Sequence, residues 1–496
     1  MSYLLILVSC LLGQWLLGLA VVRLLFRGTD DTSARPAAVE QVGLGLVLGI
    51  GLNSWILFLW SWLGGSLEPF VSMALTGCGL VAGIAIFWIT RRTPSQTTRV
   101  TSQSLAPETM AFCRLCQWGV GLLIVVAMSQ SLMTPLRLWD ERAHFSIKAS
   151  VLFEDRTIRS ADLADRDFVQ GHPRYPLLIP LAQVHLYLLL GEVDDRLAKV
   201  YFPLLYAGLV LTMIGVLSRH LSAGRAWLWG MLLATIPALM PNDYGFLCGQ
   251  ADAPVGCYHG LAVLYLWDAL ERMRLGKPLS MGTIVVAGIC GGLTAFTKDE
   301  GLAYLIIDGA ILSTFALIPL GQAAWTPRAT RPPAGALIGG NSRSLIIATA
   351  MYAACAAIIV VPWLIHRRGL PQTAEMNYAG RLSFAFLTSR LETLAWSVPH
   401  LARRMFWEWA DWGLQWWLMA AALVAFPRRS LRLSQLLLLL DVLGALSALL
   451  VAGMLAPVQL EEHLGGSSHR FLMQIAPVAI LFAAGQLGKQ ESETAA

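Results

Sequence analysis

Charge is what this chain has least of. Of its 496 residues only 14% are Asp, Glu, Lys or Arg, against roughly 25% in an ordinary soluble domain, while 56% are apolar. That balance excludes a soluble enzyme. A mean hydropathy of +0.61, with repeated apolar runs of about 20 residues, reads as a polytopic membrane protein. The net charge of +5 is too small and too dispersed for a nucleic-acid partner. Cysteine is scarce as well. The eight residues lie mostly inside apolar runs, where they act as small hydrophobes, so a disulfide scaffold is excluded. Cys113-Arg-Leu-Cys116 has CxxC spacing but no second pair or His nearby to complete a metal or redox site. Cys248 and Cys257 could bridge if both face an oxidising compartment. An internal repeat is missing, which counts against a transporter of duplicated halves. The first apolar run, 4–26, lacks a small-residue cleavage pattern and is read as a retained helix.

What is present is a series of apolar segments: 4–26, 41–62, 69–90, 117–135, 198–217, 226–241, 253–268, 281–297, 301–319, 344–364, 412–426, 433–454 and 470–486. They predict an all-α polytopic membrane protein with about 13 crossings. Arg91, Arg92, Arg99 and Arg114 share one loop while the loop before it holds only Glu68, so 91–116 reads as cytoplasmic. The four later clusters, Arg219/Arg225, Arg272/Arg274/Lys277, Arg328/Arg331/Arg343 and Arg428/Arg429/Arg432, are all cytoplasmic if 176–190 does not cross. That segment is about 16 residues long, short of the roughly 20 a crossing needs, and carries Pro176 and Pro180. It predicts an interfacial or re-entrant helix in a large outer loop, 136–197. Residues 1–116 read as an N-terminal extension of three helices with a cytoplasmic loop, and 117–486 as the core. Within the core, 365–411 is an outer juxtamembrane stretch and 320–343 a flexible cytoplasmic linker. Residues 487–496 form a cytoplasmic tail.

With this topology the unexplained polar residues collect on the outer face. They are Asp140, Glu141, His144 and Lys148; His172 and Arg174; Arg196; Asp243 and Asp252; Lys298, Asp299 and Glu300; and His463, His469 and Arg470. Such convergence is how a helical bundle builds a site from distant sequence. On an α-helix Asp140, His144 and Lys148 would share a face, with Glu141 about 100° round. An acidic pair at the water–lipid boundary suits a base that takes a proton from an acceptor hydroxyl. Arg196, Lys298 and Arg470 are the cations that could hold a lipid phosphate at this depth. Each could equally be a snorkelling anchor.

At these residues the chain resembles the GT-C superfamily of polyprenyl-phosphate-sugar-dependent glycosyltransferases, notably protein O-mannosyltransferases and lipid A aminoarabinose transferases. The resemblance rests on Asp140-Glu141 in the first large outer loop, the proline-marked helix from His172-Pro173 onward, and Gly191 followed by Arg196-Leu197. It rests further on Asp252-Ala253-Pro254, on Leu293-Thr294 through Thr297-Lys298, and on Ser467 to Arg470. It covers roughly 117–480. In the mannosyltransferases the His follows the Asp by three residues; here His144 follows Asp140 by four.

The resemblance implies a GT-C-type bundle in the cell membrane, a bacterial inner membrane, with an extracytoplasmic site and a cytoplasmic carboxyl end. Its donor would be a polyprenyl-phosphate-linked sugar and its acceptor a protein, lipid or glycan hydroxyl. It implies inverting transfer with Asp140 as general base and Glu141 positioning a substrate. Arg196, Lys298 and Arg470 would stabilise the departing phosphate. His144, Lys148, His172, Arg174, Asp252, Glu300 and His469 would bind substrate. No cofactor is implied with certainty; a divalent metal ion would have Asp252 as its candidate ligand. Two other readings stay open. One is a transporter or flippase for a lipid-linked sugar, for which Asp308 and Asp441 are the intramembrane carboxylates. The other is a glycan ligase or polymerase that needs no carboxylate base.

Overall fold

The structure is a computed structural model that describes residues 2–27, 34–92, 107–240, 243–325, 339–372, 378–456 and 460–488. Among the described residues every regular element is a helix. The expected linker and tail lie largely outside them, as do Arg99, Arg328 and Arg331. Nine helices among the described residues are long and apolar enough to cross a bilayer, as a membrane protein requires.

The chain divides into two compact units, with the division falling within two helices, at Cys257/Tyr258 and at Leu364/Ile365. The first comprises Met1–Cys257 with Ile365–Thr373 and Gly488–Ala496; the second comprises Tyr258–Leu364 and Ala374–Leu487. In the first unit the helices are α1 (Ser2–Leu25), α2 (Ala38–Trp62), α3 (Pro69–Arg92), α4 (Pro107–Met133), α5 (Ile147–Asp155), α6 (Ala161–Ala164), α7 (Leu178–Leu190), α8 (Asp195–Ala198), α9 (Tyr201–Leu217), α10 (Ala223–Ala234) and the start of α11 (Asp252–Arg274).

Here α1 packs against α2 and α3, and α2 against α7 and α9. The α1–α2 crossing depends on glycine. A Cβ on Gly18 would lie 2.0 Å from the Gly45 carbonyl oxygen, and one on Gly49 would lie 2.0 Å from that of Gln14. Small residues let backbones meet this closely where lipid gives no hydrophobic drive for association. Where α2 meets α9, buried Glu40 forms an ion pair with Arg219.

One apolar segment of this unit differs from its expected form. The expected 226–241 span is a 12-residue helix, α10, followed by a 3-10 turn at Pro237–Leu239. Pro237 disfavours helical backbone at the residue before it, so the helix stops early. Helix α7 is 13 residues long and buried continuously from Leu178 to Leu188. At 1.5 Å per residue it is about 20 Å long, and burial on every side fits insertion into the bundle better than a helix with one face in water. Cys248 and Cys257 are not bridged, and their thiols donate to the carbonyls of Gly245 (3.0 Å) and Leu205 (3.5 Å).

The second unit holds the rest of α11, then α12 (Met281–Thr297), α13 (Glu300–Trp325), α14 (Gly339–His366), α15 (Phe384–Ser389), α16 (Leu394–Trp407), α17 (Trp409–Trp412), α18 (Gln415–Ala425), α19 (Pro427–Ser430), α20 (Leu433–Leu455) and α21 (Leu460–Leu487). In it α20 packs on α13 and α21, and α16 and α18 pack on α21. The expected span at 412–426 is only the 11 residues of α18.

Candidate active site

The expected site residues divide between the units. Asp140, Glu141, His144, Lys148, His172, Arg174, Arg196 and Asp252 belong to the first; Lys298, Glu300, His469 and Arg470 belong to the second.

In the first unit the site grows from the turn that follows α4. Glu141 is buried, and its carboxylate is taken by backbone. Oε2 accepts from the N–H of Arg137 (2.8 Å) and Leu138 (3.2 Å), and Oε1 accepts from the N–H of Gly249 (2.9 Å). The buried Lys199 ammonium lies 4.0 Å from Oε1. A carboxylate held this way fixes the turn and ties it to the stretch before α11.

The helix that begins here is not α-helical at first. Residues Glu141–Ser146 form a π-helical turn. The wider turn changes which residues align, a device frequent at functional sites. Asp140 keeps His144 as a neighbour, with Oδ1 3.6 Å from Nε2, and its side chain stays 24% exposed. Lys148 does not join them on a solvated face. It is fully buried, donates to the His172 carbonyl at 3.1 Å, and lies 5.3 Å from the Tyr175 ring centre.

His172 stands at φ +48°, a left-handed conformation that few residues other than Gly adopt, although His is among those enriched there. That turn brings its ring 4.4 Å from His144, edge to face, and stacks it on Tyr175 at 4.8 Å and 14°. The result is a wall of two imidazoles and a phenol beside the Asp140 carboxylate. On the neighbouring face of the same segment is a groove of about 470 Å³, lined by Trp139, Arg142, Ala143, Ser146, Ile147, Ser150 and Asp195. Asp195 Oδ1 accepts from Ser146 Oγ (2.7 Å) and the Tyr187 hydroxyl (2.6 Å).

The remaining first-unit residues are placed as follows. Arg174 donates to the Leu370 carbonyl (2.7 Å) and to Gln372. Arg196 is exposed on α8, whose first turn is capped by Asp194 accepting from the Leu197 N–H at 2.9 Å. Asp252 is buried at the start of α11.

In the second unit Lys298 and Glu300 neutralise one another at 2.9 Å. His469 sits between two carboxylates, with Nε2 2.7 Å from Glu408 Oε2 and 2.9 Å from Asp411 Oδ2, and its ring stacks on Trp412. Arg404 also donates to Glu408 Oε2, at 3.0 Å. Partial burial raises the Glu408 carboxyl's pKa, but the hydrogen bonds and charges of Arg404 and His469 outweigh this and hold it below its ordinary value. Burial, with the charge of Arg404 adding to it, lowers His400. Arg470 is half-buried on α21, and the His463 side chain lies outside the described residues.

Two groups of described residues have the composition to hold a metal ion: Glu408, Asp411 and His469, and the buried His259, Asp308 and Asp441. Asp252 belongs to neither. In the first group Arg404 already supplies the positive charge a metal would bring.

Sequence reasoning missed Lys199, Tyr175, Asp195, Tyr187, Glu408 and Asp411. Asp195 adjoins Arg196, and Glu408 and Asp411 lie among Trp407, Trp409 and Trp412; in both places a stronger local signal drew the attention. Lys199 stands at the start of an apolar run, where a lysine reads as a snorkelling anchor. Compared with known proteins, the chain matches no family model and no curated protein.

Proposed function

We propose that the chain is an integral-membrane glycosyltransferase of GT-C type. It transfers a sugar from a polyprenyl-phosphate donor to an acceptor hydroxyl on the extracytoplasmic face of a bacterial inner membrane, with about 13 crossings and the carboxyl end in the cytoplasm. The reading is carried by one contrast: of two adjacent carboxylates, Glu141 is buried in backbone hydrogen bonds while Asp140 stays accessible beside an imidazole and aromatic wall.

Asp140 is the general base. It takes the acceptor proton as the hydroxyl oxygen attacks the anomeric carbon from the face opposite the phosphate, giving inversion. His144, 3.6 Å away, orients the carboxylate and stabilises its charge before the proton arrives. Ring faces of the kind His172 and Tyr175 present pack against the apolar faces of a sugar or a lipid-linked acceptor. Lipid phosphate is a good leaving group, so positioning and electrostatic stabilisation do most of the work. Arg196, exposed on α8, is the first-unit candidate to stabilise that phosphate. Glu141 acts by holding the turn that carries Asp140.

The test uses membranes containing the full chain, supplied with a labelled polyprenyl-phosphate-sugar extract and scored for label transferred to envelope acceptors. Asp140→Asn should lower transfer by roughly 100-fold or more, the usual scale for losing a general base. Full transfer by a stably inserted Asp140→Asn chain would sink the assignment.

A further inference from the structure

Within the second unit three ionisable side chains meet far from any water-facing loop. His259 on α11, Asp308 on α13 and Asp441 on α20 are all essentially fully buried. Asp308 is eight residues from the start of α13 and Asp441 eight from the start of α20, about 12 Å along each helix and so near the middle of a roughly 30 Å hydrocarbon layer. Ionisable groups at that depth are costly and mark functional sites by default.

We propose that His259, Asp308 and Asp441 bind a divalent first-row transition-metal ion. Three observations carry this. One ligand atom from each residue lies within 4.8 Å of one from each of the others, a closed triangle rather than the linear chain of a proton relay. His259 Nε2 is 3.1 Å from Asp441 Oδ1, close to the roughly 3.0–3.4 Å that separates neighbouring ligands around an ion bound at about 2.1 Å. Asp308 Oδ1 and Asp441 Oδ2 are buried and accept no hydrogen bond from an amide, amine or alcohol donor, and the two carboxyl groups interact with each other, so a cation between them would meet two acceptor atoms.

The charges balance, because two carboxylates and a neutral imidazole around a divalent ion sum to zero. The donor set selects the ion: imidazole with carboxylates suits zinc, manganese or iron(II), whereas magnesium and calcium prefer oxygen alone. Tyr352 donates to Asp308 Oδ2 at 3.1 Å and His259 stacks on Tyr304 at 4.3 Å, so the ligands are oriented by neighbours that do not themselves need to bind. The ion would join α11, α13 and α20 inside the bundle, a role independent of the sugar-transfer reading.

The full chain, purified in detergent with any affinity tag removed and stripped with EDTA, is incubated separately with Zn²⁺, Mn²⁺ and Mg²⁺ and passed through gel filtration. Bound metal is then counted by mass spectrometry. One Zn²⁺ or Mn²⁺ per chain is expected, with a matching rise in unfolding temperature, and no retained Mg²⁺. Asp308→Asn and Asp441→Asn should each lose the ion. Tyr352→Phe keeps every ligand and should weaken binding by roughly 10–100-fold, which protects the test if the ligand variants fail to fold. Glu408→Gln in the other His–carboxylate group should leave the ion in place. A wild-type chain that retains neither ion overturns the proposal and leaves the triad sharing protons only. Retention unchanged in Tyr352→Phe together with loss in Glu408→Gln overturns it in favour of the other group.

Discussion

Glu141→Gln should unfold the turn that follows α4, while Asp140→Asn next to it should not. The glutamine keeps the size of the side chain and removes its charge. Its single carbonyl oxygen can serve either the Arg137 and Leu138 N–H groups or that of Gly249, and its amide nitrogen then faces the donors left over. Each buried donor without an acceptor costs about 1–3 kcal/mol. Lys199, buried 4.0 Å away, also loses its counter-charge, and breaking a buried pair from one side costs about 3–5 kcal/mol. These contributions share partners and do not add, so about 3–6 kcal/mol is the expected loss. At about 2 °C per kcal/mol, the low end of the scale for domains of roughly 150–250 residues, the unfolding temperature should fall by on the order of 10 °C. The Asp140 side chain is 24% exposed, so water can take over the bonds of its carboxylate. Asp140→Asn should stay within about 1 kcal/mol of wild type. Thermal unfolding of the detergent-solubilised chain, followed by gel filtration of the heated samples, measures both. If Glu141→Gln melts within about 2 °C of wild type, the turn is not held by that carboxylate, and the contrast behind the proposed function goes with it.

Other expectations concern how the units are held together internally. Glu40→Gln leaves the Arg219 charge buried and should cost about 3–5 kcal/mol, while the double change Glu40→Gln with Arg219→Met should recover most of it in the same melting assay. Gly49→Val places a Cβ 2.0 Å from the Gln14 carbonyl and should force α1 off α2, losing at least 1–3 kcal/mol, whereas Gly77→Ala, with nothing within 4 Å, should be nearly neutral. Acidification should loosen the junction of α16 with α21. The Glu408 carboxyl is held below its ordinary 4.5, so its stabilising contribution is fully present above that pH and is lost as the pH falls through the lower folded value. The fluorescence of Trp412, stacked on His469, should report this, and an acid response as large in Glu408→Gln as in wild type would refute it.

The long helices could be read in the sequence because a bilayer demands about 20 apolar residues whatever they pack against. That signal needs no tertiary information. It weakens for α10 and α18, where the apolar run outlasts the helix, and it cannot say that α7 is buried all round, since that depends on its neighbours α2 and α5. The site was legible as residue types, but not as bonding. An α-helical wheel puts Lys148 with Asp140 and His144, and a π-helical turn, which leaves no mark in residue spacing, sends it under the Tyr175 ring instead. Asp308 and Asp441 stood out as charges within apolar runs. His259 did not, because one imidazole in an apolar helix reads as an ordinary core residue until a partner from a distant helix is beside it.

Asp140 and Glu141 carry the same functional group one residue apart and cannot be ranked from sequence. What separates them is the environment that each direction meets. Glu141 turns toward three backbone donors and a lysine drawn from three separate stretches of chain, and a carboxylate so engaged and buried offers an incoming substrate no accessible oxygen. Asp140 turns toward an imidazole and stays partly exposed, where under the proposed function its carboxylate can reach an incoming hydroxyl. A base must be available and a scaffold must be satisfied, and those requirements exclude each other at a single side chain. The buried acid therefore fixes the position of the exposed one, and losses at the two residues should differ in kind: stability at Glu141, turnover at Asp140.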